Sequence, residues 1–276
     1  VTVTGSGFAD RGGVFCRFGG EVGVEVPALG GVVPATLLSP TELLCLSPAA
    51  NMDGEVATVE LTLNDDLYAF IPSSVVFLYE NTTSALVTAT LPVAGPMAGG
   101  SLLEVSGVDF RDHGTLLCRF GSRAAVTNAT LVSSSLMRCR TPPFTGPRLL
   151  STVPADGQHE WARVSLNGQQ YLRSEADFVF FEQPLVHVSA VVPQGGRIQG
   201  GTRVVVLGSM FADHAVHCRF GTELVEAKLL NGSALECIAP VRGAAVVETV
   251  EVTLNKDIEG HSLTSDGVEY HFYDES

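Results

Sequence analysis

Three phrases in this chain open on a cysteine and read alike: Cys16-Arg17-Phe18-Gly19, Cys118-Arg119-Phe120-Gly121 and Cys218-Arg219-Phe220-Gly221. They recur at intervals of about one hundred residues, the size of a small domain rather than of a solenoid unit of about 20–50 residues. The agreement extends along each copy. An apolar strand runs into glycine and then an aromatic at Gly5…Phe8, Gly107…Phe110 and Gly208…Phe211. A second cysteine precedes a proline turn at Cys45…Pro48, Cys139…Pro142 and Cys237…Pro240. Each copy has a late Leu-Asn pair (Leu63-Asn64, Leu166-Asn167, Leu254-Asn255) and closes on an aromatic segment ending in an acid (Glu80, Glu182, Asp274). The chain therefore reads as three domains, 1–80, 81–182 and 183–276. Chemistry done once does not require three copies of its scaffold, so the repeat points to structure or recognition before catalysis.

Six cysteines fall two to a repeat at matching places, the pattern of one bond per domain. The expected pairs are Cys16–Cys45, Cys118–Cys139 and Cys218–Cys237. Buried free thiols are the alternative. Metal ligation is disfavoured because no Cys-x-x-Cys occurs. Disulfides imply an oxidising compartment. Three Asn-x-Ser/Thr triplets, at Asn81, Asn128 and Asn231, agree with that and are expected to lie near turns or a junction, where glycan would be accessible.

Strict alternation of apolar and polar residues in Val59-Glu60-Leu61-Thr62-Leu63 and Val250-Glu251-Val252-Thr253-Leu254 predicts strands with one face in a core and one in water. Val14, Cys16 and Phe18 share one face, as do Leu43 and Cys45, so both cysteines of the first copy point inward. Glycine pairs and Asn-Gly punctuate the chain, and no helical period of ten residues is present. Short strands and frequent turns within about a hundred residues predict an all-β chain of antiparallel sandwiches.

Charge narrows the partners. The net charge is −14, which repels a phosphate backbone and argues against nucleic acid. Lysine occurs only at Lys228 and Lys256, too few for a polybasic membrane patch. No apolar run reaches the eighteen residues that would suggest a spanning helix. Catalytic, cofactor and metal sites are not expected. The histidines are scattered, and Asp112-His113 and Asp213-His214 read as solvent-facing turns. No Gly-x-Ser-x-Gly elbow or His-Glu-x-x-His segment appears. Asn64-Asp65-Asp66 carries oxygen ligands, but its counterparts Asn167-Gly168 and Asn255-Lys256 do not repeat the acids, so turn chemistry explains it better than calcium. Arg17, Arg119 and Arg219 should face outward, either covering apolar surface with their stems or contacting a neighbouring strand or domain.

At Gly5-Ser6-Gly7-Phe8, at the Cys-Arg-Phe-Gly phrases, at Ser39-Pro40-Thr41-Glu42-Leu43-Leu44-Cys45 and at the opening phrases Gly95-Pro96-Met97-Ala98-Gly99-Gly100 and Gly195-Gly196-Arg197-Ile198-Gln199-Gly200-Gly201, the chain resembles the IPT/TIG family. That resemblance implies immunoglobulin-like (E-set) β-sandwiches of the kind found in plexins and fibrocystin-like surface proteins. It also implies an opening strand that the first copy lacks, so the segment reads as part of a longer array. Fold follows from this more firmly than function, because the family serves many purposes.

The expected function is a non-enzymatic structural or interaction segment of a large extracellular or cell-surface protein. It would act as a rigid spacer, adhesion or assembly module, with its three domains in an extended rod. The near absence of lysine beside abundant Ala, Gly, Val and Arg suggests a GC-rich genome, compatible with a protist surface coat or flagellar hair. Partners would be other copies or segments of the array, or other surface proteins. Alternatives are a ligand-binding receptor ectodomain and a carbohydrate-binding accessory of a secreted enzyme. For the latter, Trp161 and a few tyrosines are the aromatics on offer. Two insertions, residues 20–34 and 144–160, carry aliphatics expected at a lateral contact: Val24, Val26, Leu29 and Val32 in one, Leu149, Leu150 and Val153 in the other.

Overall fold

The computed structural model describes residues 1–19, 31–49, 56–121, 125–145, 157–256 and 262–274. The described chain is β-strand and loop apart from a 3-10 turn at Gln183–Leu185. The first repeat holds β1 (Thr2–Thr4), β2 (Phe15–Gly19), β3 (Val32–Ser39), β4 (Glu42–Cys45), β5 (Val56–Thr62) and β6 (Val76–Leu78). The second holds β7 (Leu86–Leu91), β8 (Ala94–Pro96), β9 (Leu102–Val108), β10 (Leu117–Phe120), β11 (Ala125–Ser133), β12 (Leu136–Arg140), β13 (Gln158–Ser165), β14 (Arg173–Ser174) and β15 (Asp177–Phe181). The third holds β16 (His187–Val192), β17 (Gly195–Arg197), β18 (Arg203–Ser209), β19 (His217–Phe220), β20 (Glu223–Asn231), β21 (Ala234–Ile238), β22 (Val246–Thr253) and β23 (Val268–Tyr273).

Hydrogen bonding strings each repeat into one curled sheet, β1-β4-β3-β2-β5-β6, β14-β7-β9-β12-β11-β10-β13-β15-β8 and β16-β18-β21-β20-β19-β22-β23-β17. The curl turns on one strand per repeat. The first half of β11 pairs with β10 and its second half with β12, so this strand belongs to both layers of the sandwich. β3 and β20 do the same between β2 and β4 and between β19 and β21. All three carry a bulge near the far end, at Leu37/Ser39, Leu131/Ser133 and Leu229/Asn231, which adds local twist.

The cysteines straddle this corner strand. Cys118 lies opposite Thr127 of β11, and Cys139 lies opposite Ala129, two residues on. Cys16 and Cys45 oppose Val33 and Ala35; Cys218 and Cys237 oppose Val225 and Ala227. Residues two apart share a face, so each pair meets inside the bend. The bonds are Cys16–Cys45, Cys118–Cys139 and Cys218–Cys237, with Cα separations of 6.3, 6.4 and 6.4 Å. Next-nearest strands of a flat sheet lie about 9.5 Å apart. The cross-link therefore fits only where the sheet folds over.

The remaining motif residues build the core around this bend. The phenylalanine of each Cys-Arg-Phe-Gly phrase packs edge-on against the closing aromatic strand: Phe18 on Phe77, Phe120 on Phe178 and Phe220 on Tyr270, at 5.6, 5.3 and 5.3 Å between ring centroids. The glycine of the opening strand makes room for the aromatic that follows. A Cβ at Gly208 would fall on the His187 carbonyl and on the Phe211 ring, and a Cβ at Gly107 on the Leu86 carbonyl and the Phe110 ring.

Both predicted insertions are shorter than the sequence suggests. Val32–Pro34 begin the corner strand β3, and Gln158–Glu160 begin β13. Glycine and proline beside these residues mask their strand period. Val24, Val26, Leu29, Leu149, Leu150 and Val153 lie outside the described residues. The chain divides into two compact units, Val1–Thr82 and Thr83–Ser276. The second unit contains two repeats, because the second and third share a core across Glu182.

Candidate interaction site

Alternation that turns each cysteine inward turns the next residue, an arginine, toward the outer face. In the first repeat Arg17 lies opposite Glu60 on β5 and is ion-paired with it through Nε at 2.7 Å, while its guanidinium sits 4.2 Å from the centre of the Phe70 ring. In the third repeat Arg219 lies opposite Glu251. Glu251 is buried, and its carboxylate accepts a hydrogen bond from Thr264 Oγ1 at 2.6 Å. The second repeat breaks the pattern. Arg119 lies opposite Arg163 on β13. The Arg119 guanidinium lies over the Tyr171 ring, 3.7 Å from its centre, and Arg119 Nε, like Arg219 Nε, is buried without a hydrogen-bond partner. Trp161, two residues before Arg163 on the same face, is 50% exposed. Asp177, opposite Trp161, is ion-paired with His159.

A second exchange lies at the end of the sandwich. Strand register places Glu160 of β13 and Glu248 of β22 at the same position, two residues from the partners of Phe120 and Phe220. Counting from Cys139 and Cys237, Phe144 and Arg242 also correspond; their backbone N–H groups donate to the matching carbonyls of Met97 and Ile198. Arg242 packs over Phe272 at 5.0 Å and holds Glu248 through Nε and Nη2, the latter at 2.7 Å. It also donates to Glu223 and to the Phe220 carbonyl. The Glu248 hydrogen bond is the main cause that raises the Arg242 pKa. Phe144 instead packs at a tilt against Phe180, 5.3 Å between ring centroids, and offers Glu160 nothing. Burial, then the Asp177 charge, push the Glu160 carboxyl above the ordinary glutamate range.

The joint between the second and third repeats is dry and specific. Ala94, Val179 and Phe181 of the second repeat belong to the same buried cluster as Val186, Phe211, Ala212 and Val216 of the third. The Phe181 ring lies parallel to the His214 imidazole, 6.3 Å away. His214, expected in a solvent-facing turn, is instead 8% exposed, because the repeat before it covers that turn; its counterpart His113 is exposed. Asn255 donates from Nδ2 to the Ala94 carbonyl at 2.9 Å, and its Oδ1 accepts from Thr253 and Ser262. The corresponding Asn64 and Asn167 are exposed and cap their own turns.

The other sequence-derived candidates are placed as follows. Asn81, Asn128 and Asn231 are all exposed. Asn128 is not beside a turn as expected: it stands within β11, opposite Leu117, because the corner strand extends past the turn that precedes it. Asn231 ends β20 and accepts hydrogen bonds from Ser233. In the acidic turn, Asn64 Oδ1 and Asp66 Oδ1 accept from the backbone N–H groups of Asp66 and Tyr68. Among the described residues no group of three potential metal ligands gathers. Two relationships escaped sequence reading: the Arg119–Arg163 apposition and the replacement of Arg242 by Phe144. Both are visible only once the copies are aligned strand by strand.

Fold and site together define a tandem of immunoglobulin-like sandwiches stapled at the corner strand. The IPT/TIG domain description matches residues 85–174 and 186–272, more than half of the chain. The chain belongs to the IPT/TIG domain family. Fibrocystin-L of Homo sapiens is 25% identical over 150 residues, covering 53% of this chain and 3% of that protein. The full extracellular region of plexin A4 superposes with a TM-score of 0.46 and 11% identity over 99% of this chain and 27% of that chain. A second plexin A4 extracellular structure gives 0.42 and 11%, over 98% and 32%. The chain thus spans about a third or less of each of these three relatives.

Proposed function

We propose that this chain is a structural and interaction segment of a larger extracellular or cell-surface protein, working as a stiff spacer or assembly module in a surface coat or filament such as a flagellar hair. The observation that carries the reading is the corner disulfide, which joins the same two strand positions in all three repeats. Such bonds persist in oxidising compartments and are rare in the cytosol. The shared core and the Asn255–Ala94 hydrogen bond support the stiffness of the joint between the second and third repeats. Family membership and the match to fibrocystin-L fit the same placement. A thiol count on the native, unreduced protein tests it. No reactive thiol is expected before reduction and six after; six free thiols in native material would overturn the extracellular assignment.

A further inference from the structure

We propose that the outer face of the second repeat, at Arg119, Arg163 and Trp161, binds an acidic oligosaccharide, with a sugar carboxylate or sulfate held by the two guanidinia and a pyranose ring laid on the indole. The inference rests on reading the chain as an extracellular interaction module and names the ligand class of one face. Like charges directly opposite on neighbouring strands destabilise a sheet. The first and third repeats avoid this, placing Glu60 and Glu251 across from the arginine. The second places Arg163 there, in a chain whose net charge is −14.

Neither guanidinium is neutralised within the described fold. Arg163 is exposed and pairs with no carboxylate; Arg119 Nε is buried without a partner, as is Arg219 Nε in the third repeat, so what sets the second repeat apart is the second arginine across the strand. Of the nearby acids, Asp177 is hydrogen-bonded to His159 and Glu175 is paired with Arg173, while Glu160, next to Trp161, alternates onto the opposite face of β13. Arg119 lies over the Tyr171 ring, which restrains its guanidinium as a donor for a planar or tetrahedral oxyanion. Two arginines match one or two anionic groups. A nucleic acid, which gains affinity from many phosphate contacts, would meet too few here and the repulsion of the whole chain. Trp161 stands about 7 Å along the strand from Arg163, one sugar ring away, with half its surface free. An amphipathic ring beside paired guanidinia suits a charged sugar, which has an apolar face and an anionic edge.

The test is calorimetric titration of the full chain with tetragalacturonate, a heparin-derived tetrasaccharide, neutral cellotetraose and a short polyglutamate peptide. At least one acidic sugar should bind, more weakly as salt rises, and cellotetraose should not; the uronate and sulfate arms separate the two anions. Arg163→Glu restores the charge pattern of the other repeats. It should lower sugar affinity at least tenfold while leaving Tm unchanged or higher, and Arg163→Gln serves as a second variant with the charge removed but not reversed. Trp161→Ala should cost several-fold in sugar affinity. Absence of acidic-sugar binding, or undiminished binding by both Arg163 variants, would overturn the proposal. So would polyglutamate binding as tight as the sugar and unaffected by Trp161→Ala, which would make the face a protein-docking patch. The thiol count is unaffected by any of these results, so failure here is distinct from failure of the extracellular reading.

Discussion

Asn255 of the third repeat donates a hydrogen bond to the Ala94 carbonyl of the second at 2.9 Å, inside a joint closed to water. Its Oδ1 simultaneously receives the Thr253 and Ser262 hydroxyls. Removing one member of such a network leaves the others buried and unsatisfied, at about 1–3 kcal/mol for each group. Asn255→Ala should therefore lower the stability of the unit Thr83–Ser276 by about 2 kcal/mol, read by denaturant unfolding. Asn167→Ala, at the corresponding exposed turn, should cost less than half as much. Equal losses would mean that the contact with Ala94 contributes nothing.

Arg242→Met should destabilise the third repeat by about 2–3 kcal/mol. The guanidinium and its partner Glu248 are both mostly buried, and the lone carboxylate would remain without compensation. Arg242→Met/Glu248→Gln should recover most of the loss, since the pair is then absent rather than broken. Thermal melts of the two variants measure this directly.

Glu160 predicts a pH effect of defined sign. Its carboxyl is raised in the folded state by burial and by Asp177, so the fold favours the protonated form. That stabilisation is fully present below the ordinary glutamate range and is lost as pH rises through the raised value. Glu160→Gln should thus be more stable than the parent at pH 7, by a few tenths of a kcal/mol for this partly exposed group. The two should converge in acid. A variant less stable than the parent at pH 7 would show that a cation holds the carboxylate.

Opening one corner should be costly. Cys118→Ala/Cys139→Ala removes a cross-link closing a separation of 21 residues, worth about 3 kcal/mol in the chain-entropy model. The expected readout is a lower urea midpoint for the second repeat, with the other two bonds still found by non-reducing peptide mapping.

Glycan is expected on at least one of Asn81, Asn128 and Asn231, all of which are exposed. Mass spectrometry of peptides from secreted material should find hexosamine there. Unmodified asparagine at all three positions would count against passage through a glycosylating compartment.

The inward faces were legible because a strand's period of two is unforgiving: Val14, Cys16 and Phe18 could share the core only if Arg17 left it. Repetition supplied the cysteine partners, since each copy offers two at matched places. The corner was not legible. A strand that changes sheets shows no break in its own alternation, and in β3 and β11 it adjoins a loop of a different length. The joint between the second and third repeats was equally hidden, because Asn64, Asn167 and Asn255 occupy the same motif and only the last is covered. The same Leu-Asn pair met different surroundings, and burial followed the surroundings. The Arg119–Arg163 pair needed register, which a sequence alone does not carry across strands.

The placement of the staples along the sequence has a consequence for how the chain withstands cutting. Residues 20–30 fall between Cys16 and Cys45 in the sequence, so a protease cut there leaves both fragments tethered by a covalent bond. Residues 146–156 fall beyond Cys139, outside the ring closed with Cys118. A single cut there divides the polypeptide into two pieces held without a covalent bond, by the pairing of β13 with β10, of β14 with β7 and of β15 with β8 and by the packed core. After nicking, the first repeat survives denaturation as one molecule, whereas the second comes apart into two.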